Sequence, residues 1–138
     1  MASNRENEEL YQAAVSGDIT KVRTCLQQGA NVNFKSFGGQ TPLWSAIFNG
    51  HTEVVQALLE AEADISIAND DGFTPVYVAC QNNHLQILEC LIRAGADVNI
   101  AKKDRFTPVY VACQNNHLQI LECLIRAGAD VNIAKKDG

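Results

Sequence analysis

Two cysteine–histidine pairs are the residues best placed by type and spacing to do chemistry: Cys80 with His84, and Cys113 with His117, each four apart. Thiolate and imidazole are the ligands zinc prefers, but a zinc centre needs four that converge. Each pair supplies two, and each straddles what reads as a turn between two helices. Cys90 and Cys123 fall where Ala57 stands one period earlier, so they read as small core side chains. No nucleophile has a base and a third group placed to activate it, and no glycine-rich phosphate loop is present. The expectation is a chain with no catalytic residues, no cofactor and no metal.

The same cysteines bear on compartment. Four of the five (Cys80, Cys90, Cys113, Cys123) are two residues copied once, and Cys25 stands apart, so the even-number logic of a disulfide framework does not apply. The start, MASNRENEELYQ, is polar and lacks an apolar signal core, and no apolar run reaches bilayer length. A reduced intracellular setting, cytoplasmic or nuclear, is expected, with no membrane partner. Net charge is −5. It comes from residues 40–72, where Glu53, Glu60, Glu62, Asp64, Asp70 and Asp71 meet no Lys or Arg; Arg105 offsets one of them. An acidic chain argues against nucleic acid. The segment reads as a solvated acidic face or as a match for a basic partner surface near residues 40–72.

The elements that carry these residues recur. Phe73–Asp104, 32 residues long, returns unchanged as Phe106–Asp137, an offset of 33. Stepping back by the same period divides one domain, 1–138, into units 7–39, 40–72, 73–105 and 106–138. Self-similarity at this period marks a solenoid. Thr41-Pro42, Thr74-Pro75 and Thr107-Pro108 read as helix starts, with Thr as N-cap and Pro at the first helical position. Ala13, Ala46, Ala79 and Ala112 occupy one equivalent place, small enough for helices to approach closely. Gly17, Gly50, Asn83 and Asn116 tolerate a left-handed turn and should end the first helix. His84 and Leu85 open a second helix whose Leu85, Leu88, Leu91 and Ile92 share a face. Ala94-Gly95 ends it, and a turn-rich loop follows, with Asp71-Gly72 as a hairpin-type dipeptide.

A 33-residue unit carrying T-P-V-Y-V-A-C, N-N-H-L-Q-I-L and L-I-R-A-G-A-D-V-N resembles an ankyrin repeat, and the resemblance covers residues 7–138. It implies an all-α solenoid of helix–turn–helix units, each with a β-turn or hairpin loop. It also implies that His84 braces the turn and that Cys80 is a packing residue. Departures are few. Trp44, Tyr77 and Tyr110 replace the family's His after Thr-Pro, and should be partly buried rings with satisfied polar tips. Glu62 replaces the Gly of the second-helix end, and Arg105 that of a loop tip. Repeat one begins Asn7-Glu8-Glu9 instead of Thr-Pro and carries Lys21 where Val54 and Ile87 occur, as an N-terminal cap would. Repeat four is an unmodified internal repeat. That implies a longer array, or an exposed apolar face through which two copies form a weak dimer.

The resemblance further implies a non-catalytic protein-interaction module that binds through its concave face. Carried over by position, that face comprises Phe37, Gly38, Gln40, Phe48 and Asn49. It continues through Asp70, Asp71, Phe73, Gln81 and Asn82, then Lys103, Asp104, Phe106, Gln114 and Asn115. Phe73 and Phe106 are either exposed anchors or packed on neighbouring loops. Asn99 and Asn132 lie in stretches similar to asparagine-hydroxylation sites of ankyrin repeats; the alternative is that they brace the loop. Perfect identity of two repeats suits a repetitive partner, or a structural or engineered scaffold with no native partner. A regulatory fragment of a larger protein is a third reading. The partner is unidentified at this level.

Overall fold

The computed structural model describes residues 4–101 and 106–130. Among them the regular elements are eight helices: α1 (Asn4–Ser16), α2 (Ile19–Gln27), α3 (Pro42–Phe48), α4 (Thr52–Glu60), α5 (Pro75–Gln81), α6 (Leu85–Arg93), α7 (Pro108–Gln114) and α8 (Leu118–Arg126). Helices α1, α3, α5 and α7 stack in one row, and α2, α4, α6 and α8 in a second row behind it. The apolar core runs continuously between the rows.

Sequence sets both ends of each first helix. The side-chain oxygens of Thr41, Thr74 and Thr107 accept from the backbone N–H of Trp44, Tyr77 and Tyr110 at 3.1, 3.1 and 3.2 Å, with Pro next in line. Each cap stabilises its helix by about 1 kcal/mol. The helices stop where Gly50, Asn83 and Asn116 take positive φ of 75°, 59° and 58°. Helix α1 differs. The unit arithmetic places its start at Asn7, but it is already helical at Asn4 and runs 13 residues, against seven for α3. No proline stands there to force the preceding residue out of helical geometry. Its exposed end is laced by Arg5–Glu9 (3.0 Å) and Lys21–Glu9 (3.6 Å) ion pairs.

The alanine column is buried at every level, Ala13, Ala46, Ala79 and Ala112 alike, which lets the first helices close on one another. In α6 the buried stripe is Ile87, Leu88, Cys90 and Leu91, while Leu85 and Ile92 are only half-buried. The stripe is broader and rotated from the expected face because α4, α5 and α8 all pack against α6. Glu62 adopts φ 64°, so the left-handed end of α4 is kept without glycine, at a cost of about 1 kcal/mol.

Side-chain rungs join successive loops. The amide oxygen of Asn33 accepts from the backbone N–H of Asp64 at 2.9 Å, and that of Asn99 from Asp130 at 2.8 Å; in the first repeat, Asn7 on α1 accepts from Asn31 N–H at 2.7 Å and ties the first loop back to its own helix. Ser66 stands where Asn33 and Asn99 stand in their repeats. Its hydroxyl instead donates back to Asp64 at 2.6 Å, and among the described residues no bond joins it to Asp97. Serine is one carbonyl too short to span the gap. Ser66→Asn should restore the missing rung and raise unfolding free energy by about 1 kcal/mol, measured by urea denaturation; an unchanged or lower midpoint would count against this account.

Candidate functional site

The first-helix row and the loop tips that precede it form the surface on which the expected partner-contacting residues lie. The tips are closed by backbone bonds: Ser36 N–H to Gln40 O at 2.9 Å in the first loop, and Asn69 N–H to Phe73 O at 3.1 Å in the second. Asn69 also accepts from Asp71 and Phe73 N–H. The Asp70 N–H donates to Gly38 O at 2.9 Å, which locks the two tips side by side. Gly39, at φ 76°, sits so close to Asp70 that a Cβ would lie 2.2 Å from its carboxylate oxygen and 3.0 Å from its backbone nitrogen, so any side chain there would be strained and would displace Asp70.

The expected residues separate by exposure. Phe37 is fully exposed and Phe48 about half exposed, at 49%. Asn49, Asp70, Asp71, Gln114 and Asn115 are exposed, and Gln40, Gln81 and Asn82 are half-buried. Phe73 and Phe106 are not free anchors: both are half-buried, packed against the core, with rings on Tyr77 (5.5 Å) and Tyr110 (4.6 Å). Lys103, Asp104, Arg105 and Asn132 lie outside the described residues.

The rings after Thr-Pro lie deeper than expected at Trp44 and Tyr77 and are half-buried at Tyr110. Trp44 is buried, and its ring N–H donates to the Phe73 carbonyl at 2.8 Å. Tyr77 is buried too. Gln40 occupies the place of Phe73 and Phe106, so Trp44 has no aromatic partner there and stacks on Phe48 instead, at 5.4 Å and 10°. Between α1 and α3 this leaves a hollow of about 250 Å³ lined by Tyr11, Val15, Gln40, Trp44, Ser45, Phe48 and Asn49. Tyr11 OH donates to Gln40 Oε1 at 2.7 Å, and Ser45 Oγ donates to Tyr11 at 3.2 Å. Tyr11 and Ser45 escape motif reasoning; the one sequence signal is that Tyr11 stands a period before Trp44.

The cysteine–histidine pairs do other work. The histidine rings turn to the preceding repeat: Nε2 of His51 donates to Val15 O at 3.0 Å, and that of His117 to Gln81 O at 3.2 Å. The His51 and His84 rings press on Gly17 and Gly50, where a Cβ would meet ring atoms at 2.7 and 2.8 Å. Among the described residues no three His, Cys, Asp or Glu side chains gather as metal ligands would. Cys80 is fully buried, and burial pushes its thiol pKa far up. Burial, then the Glu89 carboxylate, also raises that of Cys123. Ser66, donating from hydroxyl and N–H, holds the Asp64 carboxyl below its ordinary value. Asn99 is half-buried with its amide oxygen engaged by Asp130, a loop-bracing contact.

A family model of ankyrin repeats, three copies long, matches residues 3–69 and again 61–135. The chain belongs to the ankyrin repeat family. Members are generally protein–protein interaction modules and typically non-catalytic. No curated protein matches the chain. No helix among the described residues is long and apolar enough to cross a membrane.

The duplicated sequence supplies an internal comparison: Cys80 is buried, whereas its copy Cys113 is exposed. Thiolate is the reactive form, and burial both disfavours and shields it. Trypsin cleavage after Lys35, Arg93, Arg105 and Arg126 places the two copies on different peptides. Iodoacetamide at mildly alkaline pH should label Cys113 first and leave Cys80 unlabelled until denaturant is added. Equal labelling of the two in native protein would contradict the burial pattern.

Proposed function

We propose that this chain is a non-catalytic adaptor that holds a protein partner against its first-helix row and loop tips. The observation that carries this reading is the row itself: side chains that the core does not need, Phe37 and Phe48 foremost, face solvent from a rigid backbone. The scaffold performs no chemistry; it fixes the spacing of contacts, so little conformational entropy is lost on binding. A reducing compartment, cytoplasmic or nuclear, suits its five free thiols. With Phe37, Phe48, Gln81 and Gln114 all changed to Ala, immobilised protein should lose a partner retained from cell extract. With Glu53 and Glu60 on α4 changed to Ala, retention should persist. The reverse pattern would move the binding face to the second helices.

A second reading concerns self-association. Leu118 and Ile125 are 64% and 49% exposed, whereas the same residues one repeat earlier, Leu85 and Ile92, are half-buried beside α8. This face supports a weak two-fold dimer through repeat four. Sedimentation should show dimer growing with concentration, and Leu118→Lys with Ile125→Lys should abolish it. Monomer throughout for the unmodified chain would end the idea.

A further inference from the structure

We propose that the trailing face of repeat four, the side turned away from repeat three, is a seat for the leading helix pair of an ankyrin-type repeat carried by another chain. Gln12, Asp18 and Lys21 deny that seat to a second copy of this chain. The proposal goes beyond the adaptor reading, which concerns the front row, and does not depend on it. It joins chains head to tail, whereas the two-fold dimer joins trailing face to trailing face.

What covers such a face is visible one repeat earlier. Phe73–Asp104 and Phe106–Asp137 are identical, so the trailing faces of repeats three and four are built from the same residues. On repeat three that face is covered, with α7 against α5 and α8 against α6. Tyr77 and Cys80 are buried there, whereas Tyr110 is half-buried and Cys113 exposed. Leu85 and Ile92 are half-buried, whereas Leu118 and Ile125 stand open. The Gln81 carbonyl accepts from His117 Nε2 at 3.2 Å, and the Gln114 carbonyl is the equivalent acceptor on repeat four. The occupant is thus defined by the interface that already exists between repeats three and four. It is a helix pair with a histidine at its turn and apolar residues on its leading side.

The leading side of repeat four shows what that requires. Val111 and Ile120 are 2% and 0% exposed, and His117 is half-buried. Three periods earlier, repeat one holds Gln12, Asp18 and Lys21 at these places, and all three are exposed. With Glu8, Glu9 and Ser16 they line a polar concavity on its outer side. Seating repeat one on repeat four of another copy would bury the Lys21 ammonium where Ile120 is sealed, which is costly without a partner. It would also set the Asp18 carboxylate, an acceptor, against the Gln114 carbonyl, where a histidine N–H is needed. Head-to-tail contact between identical chains has no closing symmetry and runs on into filaments. The three polar residues block that route and leave the seat to a chain whose leading repeat keeps the apolar and histidine positions.

The test uses a donor probe: the full chain with Gln12→Val, Asp18→His and Lys21→Ile, plus Leu118→Lys and Ile125→Lys so that it offers a leading face but no seat. Repeats three and four hold Val, His and Ile at the first three places, so the fold accepts them. A second donor with Lys21→Ile as its one leading-face change stands in if circular dichroism shows the first unfolded. Mixed with the unmodified chain, the donor should give a one-to-one complex in sedimentation velocity. Iodoacetamide labelling of Cys113 on the unmodified chain should slow about tenfold, toward the behaviour of Cys80. Leu118→Lys with Ile125→Lys in the acceptor should weaken the complex about tenfold or more. No complex with a folded donor would overturn the proposal, as would a complex indifferent to those two changes in the acceptor. Filaments of the unmodified chain, or a two-fold dimer that the donor fails to displace, would overturn it as well. The four-alanine variant reads the front row alone, so the adaptor reading is judged separately.

Discussion

Every other feature depends on the burial of each helix pair by the pair beside it. A seven-residue helix such as α3 or α5 is too short to persist alone in water. It is held because its alanine meets the next first helix at close range and its apolar side chains enter a core shared with both neighbours. Leu43, Ile47, Leu58, Leu88 and Leu91 are all sealed from solvent, each worth about 2 kcal/mol relative to exposure. No single repeat could enclose that many. Stability is therefore a sum of boundary terms, and each boundary joins a first helix whose alanine allows close approach, and whose large side chains enter the core, to the apolar stripe of the second helices.

That division of labour leaves the front of the stack available for recognition. Core demands fall on most of each first helix and on the inner stripe of the second helices, while the final residue of each first helix, Phe48, Gln81 or Gln114, stays at least partly open to solvent. Position 48 and its equivalents show it: Phe48, Gln81 and Gln114 differ in size and polarity, yet the backbone at all three is the same. Recognition and folding are written in separate residues, so one can change without the other. The aromatic hollow arises at the one level where Gln40 and Phe48 appear together.

Much of this architecture was legible in the sequence because its signals are local. Thr-Pro fixes helix starts through a contact three residues long, and Gly50, Asn83 and Asn116 fix helix stops through their own φ. The start of α1 is not legible in this way, because a period imposed from later repeats says nothing of a helix with no proline to block its extension. Phe73 and Phe106 could not be placed, since their exposure turns on whether a ring four residues on lies beneath them. Tyr11, Gln40 and Ser45 meet across separations of up to 34 residues, through rotamers that no pattern of letters encodes. His51 and His117 reach carbonyls 36 residues back, and the packing of a ring on Gly17 gives that glycine a reason beyond its φ.

The serine at position 66 has a mechanical meaning. At the joint between the second and third units, Trp44 and Asn82 tie the front, through Phe73 O at 2.8 Å and Phe48 O at 3.2 Å. At the loop base opposite, no side-chain rung joins the two units among the described residues. The second helices still pack across this joint, with Gln56 Nε2 set 3.9 Å from Cys90 Sγ, so the loop base is where it is least braced. The front ties would serve as the pivot, and the curvature that the front surface offers a partner would be adjusted at that joint.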